Sequence, residues 1–227
     1  MNAFHRCAAL LGIALVAAQA QAVDFSFAPA SGTLTQGNGN SYSGTVNGLT
    51  ITATAWSNAN KAGKFQTATL NVANDGLGVC TSVHCTTGML DNSSGSSDMI
   101  LFSFSSAVNL QSLGLQQVGS DSDLSVWAGT GSTFSPNNKK PTKLGTASLI
   151  DNSNAVAGFR TVGLAGFTGS YDWIAVAARI GQTNDFALLK SLTVNPVAQP
   201  VPEAATWMTM LAGLGLVGFA VSRRTHT

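Results

Sequence analysis

The chain has very few charged side chains and only one glutamate. Charged residues make up 9% of the 227 residues, and the formal net charge is +1. A field this weak does not attract nucleic acid or anionic lipid to the protein as a whole. Glutamate and lysine, the usual formers of exposed helices, are both scarce, whereas glycine, serine, threonine and asparagine are abundant. The composition argues against nucleic-acid binding and favours an extracellular β protein.

Histidine is also scarce, which limits the catalytic chemistry available. His84 is the only histidine between residues 23 and 195, and no Gly-x-Ser-x-Gly elbow is present to position a nucleophilic serine. Asp121 and Asp123 are the alternative, because two carboxylates about 7 Å apart on one strand face suit a glycosidase pair. Two aspartates two residues apart arise readily by chance in a run rich in Ser and Asp, so this spacing is weak evidence for catalysis. We therefore expect a protein that is not an enzyme.

The first 22 residues have the pattern of a secretory signal peptide. Arg6 is followed by an apolar core over 8–18 and by Ala20-Gln21-Ala22, a small-x-small cleavage site. A retained membrane anchor is the alternative, but an apolar run of about 11 residues is too short to span a bilayer. The sequence predicts export, with the mature chain beginning at Val23.

Two cysteines remain after removal of that peptide. Export into an oxidising compartment favours a disulfide between Cys80 and Cys85, which would pin a local turn because the enclosed loop is short. The alternative is a zinc site formed by Cys80, His84 and Cys85, although ligands this close in sequence need unusual geometry. We expect the disulfide.

Residues 23–195 are predicted to form one exported β domain. Alternation of apolar and polar residues predicts strands over 49–56, 99–104, 124–127 and 173–177. Other strand-length runs cover 65–72, 110–118, 143–150, 159–164 and 186–194. About ten short strands separated by Asn-, Gly- and Pro-rich turns, with no helical stretch between them, predict an all-β fold, an antiparallel β-sandwich resembling a jelly roll.

Aspartates at the predicted strand ends raise the question of calcium. Asp91, Asp98, Asp121 and Asp123 are the candidate ligands, since calcium takes several oxygen ligands from loops. The alternative is that Asp and Asn are ordinary turn residues whose side chains satisfy local amides. No Asp-x-Asp-x-Asp-Gly loop is present, so we expect no cofactor and keep calcium as the alternative.

Aromatic side chains could serve as stacking platforms for a polysaccharide if they were exposed. The candidates are Trp56, Trp127, Trp173, Tyr42 and Tyr171. Most aromatics on alternating strands belong to a core, so we expect one or two of them to point outward.

The C-terminal segment has three parts. Residues 196–203 form a proline-rich linker that holds the backbone extended. Residues 204–221 carry no charge, and 18 residues at a rise of about 1.5 Å extend roughly 27 Å, which suits a minimal transmembrane helix. A buried core helix is the alternative, but its three glycines fit a membrane segment better. Residues 222–227 form a basic tail, with Arg223 and Arg224 expected on the cytoplasmic side.

This tail resembles a known sorting signal. The run Val201-Pro202-Glu203-Ala204-Ala205-Thr206-Trp207, the apolar stretch after it, and Arg223-Arg224 resemble the PEP-CTERM signal of Gram-negative bacteria. That signal reads Val-Pro-Glu-Pro-Ala-Thr-Trp, so Ala204 stands where the family has its second proline. The resemblance implies an exosortase, an inner-membrane cysteine transpeptidase that removes the tail and passes the protein towards the cell surface. Such bacteria usually make extracellular polysaccharide.

The body is similar to a recurrent domain of exosortase-dependent surface proteins, in the segments 76–80, 90–92, 98–104 and 121–127. That resemblance implies a surface role without an assigned biochemical activity. Two hypotheses follow. One is a non-enzymatic surface or matrix protein, anchored in the inner membrane before exosortase sorts it into a polysaccharide-rich envelope. The other is a carbohydrate- or calcium-binding module delivered by the same route.

Overall fold

The computed structural model describes residues 21–27, 35–36, 40–59, 63–73, 76–81, 88–116, 121–151, 158–197 and 211–214. The chain divides into two units, Ala20–Val197 and a second unit made of Met1–Gln19 and Ala198–Thr227. Most of the predicted signal peptide lies outside the described residues. The same is true of the predicted linker and basic tail.

Fourteen strands lie in the described part of Ala20–Val197, and every pairing between them is antiparallel. The predicted all-β class is confirmed. The strands are β1 Val23–Ser26, β2 Thr35–Gln36, β3 Ser41–Val46, β4 Leu49–Ser57, β5 Gln66–Thr67, β6 Thr69–Ala73, β7 Gly76–Cys80, β8 Leu90–Asp91, β9 Asp98–Gln116, β10 Leu124–Gly129, β11 Ser148–Ile150, β12 Arg160–Gly163, β13 Tyr171–Ala178 and β14 Phe186–Pro196. Two short 3-10 turns cover Ser93–Gly95 and Pro141–Lys143.

Strand β9 joins two sections of one continuous sheet. Its first half pairs with β4 and β13, and its second half pairs with β12 and β14. The first section continues from β4 to β3 and β2, and from β13 to β10 and β11. In the second section, β14 also pairs with β1, β7 and β8, and β6 lies beyond β7. Two runs predicted as separate strands, 99–104 and 110–118, are thus parts of one strand.

The two sections share one apolar core. Ile100 and Phe102 of β9 belong to the same buried cluster as Leu113 and Leu115 farther along that strand. Phe27, just after β1, stacks on Phe102 with ring centroids 5.2 Å apart. Burial of each such side chain contributes about 1.5–3 kcal/mol, so the contact between the sections is the main source of stability. This supports a sandwich-like arrangement, whereas the jelly-roll connectivity stays a prediction.

The outer face of the first section carries a second, smaller core. Successive residues of a strand point to opposite faces, so Met99 and Leu101 of β9 face away from the shared core. They cluster with Trp56, Trp127 and Trp173. Over them lies the segment 130–147, which we call the strap. The first section is therefore buried on both faces.

Stacking and hydrogen bonds hold the strap in place. The ring of Phe134 stacks on Trp173 with centroids 3.7 Å apart. The indole nitrogen of Trp173 donates to Thr130 O at 3.3 Å, and that of Trp127 donates to Gly145 O at 3.2 Å. The indole N–H groups of Trp127 and Trp173 are thus satisfied by strap carbonyls, whereas that of Trp56 donates to Thr54 Oγ1 at 3.0 Å.

The strap also explains a wrong strand prediction. The run 143–150 is a strand only over Ser148–Ile150, and Pro141–Lys143 just before it is a 3-10 turn. Pro141 occupies the first position of that turn, where its fixed φ and missing N–H are tolerated.

The three tryptophans proposed as stacking platforms are buried, which corrects that expectation. Trp56, Trp127 and Trp173 are only 8%, 3% and 6% exposed. Tyr42 and Tyr171 are half-buried and pack against the shared core. The strap covers the face on which the tryptophans lie, so none of the three presents a free ring to a ligand.

The described helical residues of the tail are 211–214, which lie inside the predicted membrane segment 204–221. Leu211 and Leu214 there are exposed. Among the residues described, no helix is both long enough and apolar enough to cross a membrane. The remainder of 204–221 lies outside the described residues, so the transmembrane helix stays a prediction.

Removal of the Phe134 ring is expected to loosen the strap. We predict that Phe134→Ala lowers the free energy of unfolding by about 2 kcal/mol, because it removes the stack on Trp173 and opens the smaller core. Phe159→Ala is the matched control, since Phe159 is 56% exposed and should cost well under about 1 kcal/mol. Urea unfolding followed by tryptophan fluorescence measures both. Equal effects of the two changes would contradict this role for the strap.

Candidate functional site

Three aspartates converge where β10 and β14 begin. Asp121 and Asp123 precede β10, and Asp185 precedes β14. One carboxylate oxygen from each lies within 4.8 Å of the others. Asp123 and Asp185 are fully buried, and Asp121 is half-buried. We call these three residues the aspartate cluster.

The cluster is already bound by protein groups. Arg179 Nη1 lies 2.6 Å from Asp123 Oδ2 in an ion pair. Asp185 Oδ1 accepts a hydrogen bond from Asp123 N at 2.9 Å, and its Oδ2 accepts one from Asn92 Nδ2. Asp185 N donates back to Asn92 Oδ1 at 2.9 Å, and Asn92 Nδ2 also donates to Arg179 O at 2.9 Å. These bonds tie together the loops that precede β10 and β14 and the end of β13.

A second arginine lies beside the cluster. Arg160 Nη2 donates to Ser122 Oγ. Burial lowers the pKa of Arg160, and the charge of Asp123 opposes that shift. The hydrogen bond to Asp123 raises the pKa of Arg179. Two cations therefore share the charge of one buried carboxylate.

The carboxyl of Asp185 is easier to protonate than usual. Burial raises its pKa to about 6, and the charges of Asp121 and Asp123 add to the shift. Hydrogen bonds from Asp123 N and Asn92 act in the opposite direction. Burial prevails because the desolvation of a carboxylate outweighs two hydrogen bonds here.

Two of the four predicted calcium ligands lie elsewhere, which corrects the proposed ligand set. Asp91 Oδ1 accepts hydrogen bonds from Ser93 N at 3.1 Å and Ser93 Oγ at 2.9 Å, the pattern of an ordinary Asx turn. Asp98 is 3% exposed, and burial raises its pKa to about 8. A protonated carboxyl is a poor calcium ligand. Asp121 and Asp123 do converge, and the residue that completes their group, Asp185, was missed.

Asp98 occupies a polar pocket of its own beside Asp91. After burial, the next influences on its pKa are a hydrogen bond with Ser57, which lowers it, and the charge of Asp91, which raises it. Its Oδ2 has no hydrogen-bond partner among the described residues. A neutral carboxyl is consistent with such a site, because an unpaired buried charge would be far more unfavourable.

The geometry of the aspartate cluster fits a structural role better than calcium binding or catalysis. Arg179 already supplies the positive charge that a calcium ion would bring to Asp123. Asp121 and Asp123 lie before β10 and do not share a strand face, contrary to the glycosidase alternative, and buried Asp123 cannot reach a substrate. The cluster therefore acts as a hydrogen-bonded clamp on strand ends.

Of the two cysteines predicted to form a disulfide, the structure describes only Cys80. Cys80 is the last residue of β7, where it pairs with Thr69 of β6. Cys85 and His84 lie outside the described residues. The disulfide and its zinc alternative both stay predictions.

The sorting residues also lie outside the described part of the chain, namely Val201, Pro202, Glu203, Ala204, Ala205, Thr206, Trp207, Arg223 and Arg224. Their function is read from sequence comparison. The unit Ala20–Val197 is an antiparallel β domain, and the sorting residues belong to the other unit, which is made of Met1–Gln19 and Ala198–Thr227.

The chain carries a PEP-CTERM protein-sorting motif. The family model for this motif matches residues 200–224, which confirms the resemblance noted from the sequence. The motif implies a secreted protein that is anchored transiently in the membrane and processed by an exosortase. A search of curated proteins found no match to the chain.

Protonation of Asp98 predicts a distinct pH dependence. Its pKa rises from 3.8 to about 8 on folding, so its contribution to stability is complete below about pH 4 and is lost as pH rises to about 8. Asp98→Asn mimics the neutral acid. It should reduce the loss of stability between pH 4 and pH 8 by roughly a few kcal/mol. Thermal unfolding from pH 4 to pH 9 measures it.

Thr161→Ala is the control, since it alters an exposed side chain that carries no ionisable group. It should leave the slope of stability against pH as in the unaltered chain. An Asp98→Asn protein whose stability falls as steeply as that of the unaltered chain would contradict a protonated Asp98.

Proposed function

We propose that this chain is a non-enzymatic surface or matrix protein whose location is set by its C-terminal signal. In this proposal the β domain is exported by the N-terminal peptide and held in the inner membrane by residues 204–221. An exosortase then removes the tail and delivers the domain to the cell surface or to an extracellular polysaccharide matrix. The single observation that carries the proposal is the sorting motif at residues 200–224.

The physical order of the tail supports this route. In this proposal Pro200 and Pro202 favour an extended backbone that a processing enzyme can bind, whereas Pro196, which was predicted to begin the linker, is the last residue of β14. Glu203 marks the boundary between that linker and the uncharged stretch. Arg223 and Arg224 then oppose transfer of the end of the chain across the membrane.

The described carboxylates support the non-enzymatic part of the proposal. Asp123 is paired with Arg179, Asp185 is held by Asn92, and Asp91 caps a turn. Each of these side chains has a structural partner, and the two that are closest together are buried. A catalytic carboxylate instead needs access to its substrate.

Carbohydrate or calcium binding is the second candidate. Calcium is favoured by one observation, the convergence of Asp121, Asp123 and Asp185, and opposed by the ion pair with Arg179. Carbohydrate binding is disfavoured because the tryptophans proposed as stacking platforms are buried in the smaller core. A polar cleft lined by residues of β5, β6 and β7 offers a different basis for it.

The sorting proposal is tested by altering the motif in the native host. Pro202→Ala combined with Glu203→Ala is expected to abolish processing, because the exosortase no longer recognises the tail. The full-length precursor should accumulate in the inner membrane and the mature form should be lost from the surface. Immunoblots of membrane and surface fractions measure both.

Gln199→Ala is the matched control, since it lies in the same linker but one residue outside the matched segment. It should be processed normally. Ala204→Pro supplies the proline that the family signal has, and it should raise the processed fraction. Normal processing and location of the Pro202/Glu203 variant would defeat the proposal.

A further inference from the structure

A polar cleft opens beside strands β5, β6 and β7. Its volume is about 290 Å³. The residues that line it are Ser57, Gln66, Thr67, Ala68, Thr69, Cys80 and Thr81, five of which have a hydroxyl or amide side chain. Sugars present hydroxyls that both donate and accept hydrogen bonds, and hydroxyl and amide side chains do the same. The lining therefore suits a hydroxylated ligand better than an apolar one.

The strap forms one rim of this cleft. Gln66 Nε2 donates to Asn138 Oδ1 at 2.9 Å. Phe65 N donates to Lys139 O, and Asn138 N donates to Phe65 O, both at 2.9 Å. This reciprocal pair of backbone bonds fixes residues 138–139 against the segment that leads into the cleft. The rim is thus rigid, since the strap is also held by Phe134 and Trp173.

Four lysines, Lys64, Lys139, Lys140 and Lys143, lie in the strap or just before Gln66, and we call them the basic rim. Lys64 precedes Gln66 by two residues, and Lys139 directly follows Asn138. Lys143 N donates to Lys140 O at 2.8 Å, so these two lysines stand one 3-10 turn apart.

No lysine of the basic rim forms an ion pair in the described part of the chain, although Asp172 Oδ2 accepts a hydrogen bond from Gly131 N of the strap at 2.6 Å. Segments 58–73 and 124–150 contain no aspartate or glutamate. In the described part of the chain the one ion pair is Arg179–Asp123, which leaves the four lysines without a carboxylate partner there. Lys64, Lys140 and Lys143 are exposed, and Lys139 Nζ lies 4.8 Å from the centre of the Phe134 ring. A protein of weak net charge thus carries a local concentration of positive charge.

We propose that the cleft and its basic rim bind a carboxylate-bearing sugar unit of an extracellular polysaccharide. The hydroxyl and amide lining receives the sugar hydroxyls, and the lysine ammonium groups pair with carboxylates of the bound unit and its neighbours along the polymer. This inference rests on the proposed export, which brings the domain to where such polymers occur. It needs none of the buried tryptophans.

The surroundings of the basic rim disfavour other polyanions. Single-stranded nucleic acid binds through exposed aromatic rings that stack on bases, and the exposed large apolar side chains among the described residues are Leu149, Phe159, Phe186, Leu211 and Leu214, all outside the rim. An anionic membrane surface is normally bound by basic residues together with inserted apolar ones, which the rim also lacks.

Binding is tested with the full chain in a mild detergent at low ionic strength. The probes are a short oligogalacturonate, which carries carboxylates, and a maltooligosaccharide of equal length, which is neutral. Calorimetry should detect the first and not the second. Lys64→Gln, Lys140→Gln and Lys143→Gln together should weaken oligogalacturonate binding at least about tenfold, and added salt should weaken it too. Gln66→Ala should also weaken it, because it removes an amide from the cleft.

Lys190→Gln is the matched control, since Lys190 does not line the cleft and its Nζ lies 5.1 Å from the centre of the Phe159 ring, so its change should leave binding unaltered. Thermal unfolding verifies that each variant folds. Absence of oligogalacturonate binding, or equal binding by the triple variant, would overturn the proposal. So would equal binding of a single-stranded oligonucleotide or of mixed micelles of the detergent with an anionic lipid. The triple variant should still be processed in the host, which separates this inference from the sorting proposal.

Discussion

The long strand β9 is the constraint on which the rest of the domain depends. It hydrogen-bonds to strands on both edges along most of its length, and its residues belong to both cores. A strand in this position has no free edge for another chain to pair with. A shift of one residue would exchange Ile100 and Phe102 with Met99 and Leu101 between the shared core and the smaller core. Every other strand takes its register directly or indirectly from this one.

The few charges of the protein are divided between two tasks. Four aspartates are buried and form hydrogen bonds within the protein, namely Asp91, Asp98, Asp123 and Asp185. Arg179 forms an ion pair with Asp123. This withdraws carboxylates from the surface. The lysines of the strap consequently dominate their own region, although the net charge of the chain is only +1. A near-neutral composition therefore does not mean an electrostatically uniform surface.

The fold class and several strands were predictable because alternation of apolar residues reports local pleating directly. Strand β4, predicted over 49–56, is observed over Leu49–Ser57. Strand β3 was missed because its sequence, SYSGTV, is mostly polar, although Asn47-Gly48 after it is a recognisable hairpin signal with positive φ at both residues. The burial of Trp173 and the role of Asp185 were not predictable, because both depend on loops that meet only in three dimensions. The sorting motif was predictable since its recognition is local in sequence.

In the proposed function, a C-terminal signal decides where the β domain is placed. The two cores, the strap and the aspartate cluster all lie within Ala20–Val197. The tail needs only to be reached by its processing enzyme. Mass spectrometry of the C-terminal peptide of the protein released by the native host tests this most directly. We predict a C terminus upstream of Ala204, with residues 204–227 absent, whereas a released protein ending at Thr227 would contradict the account.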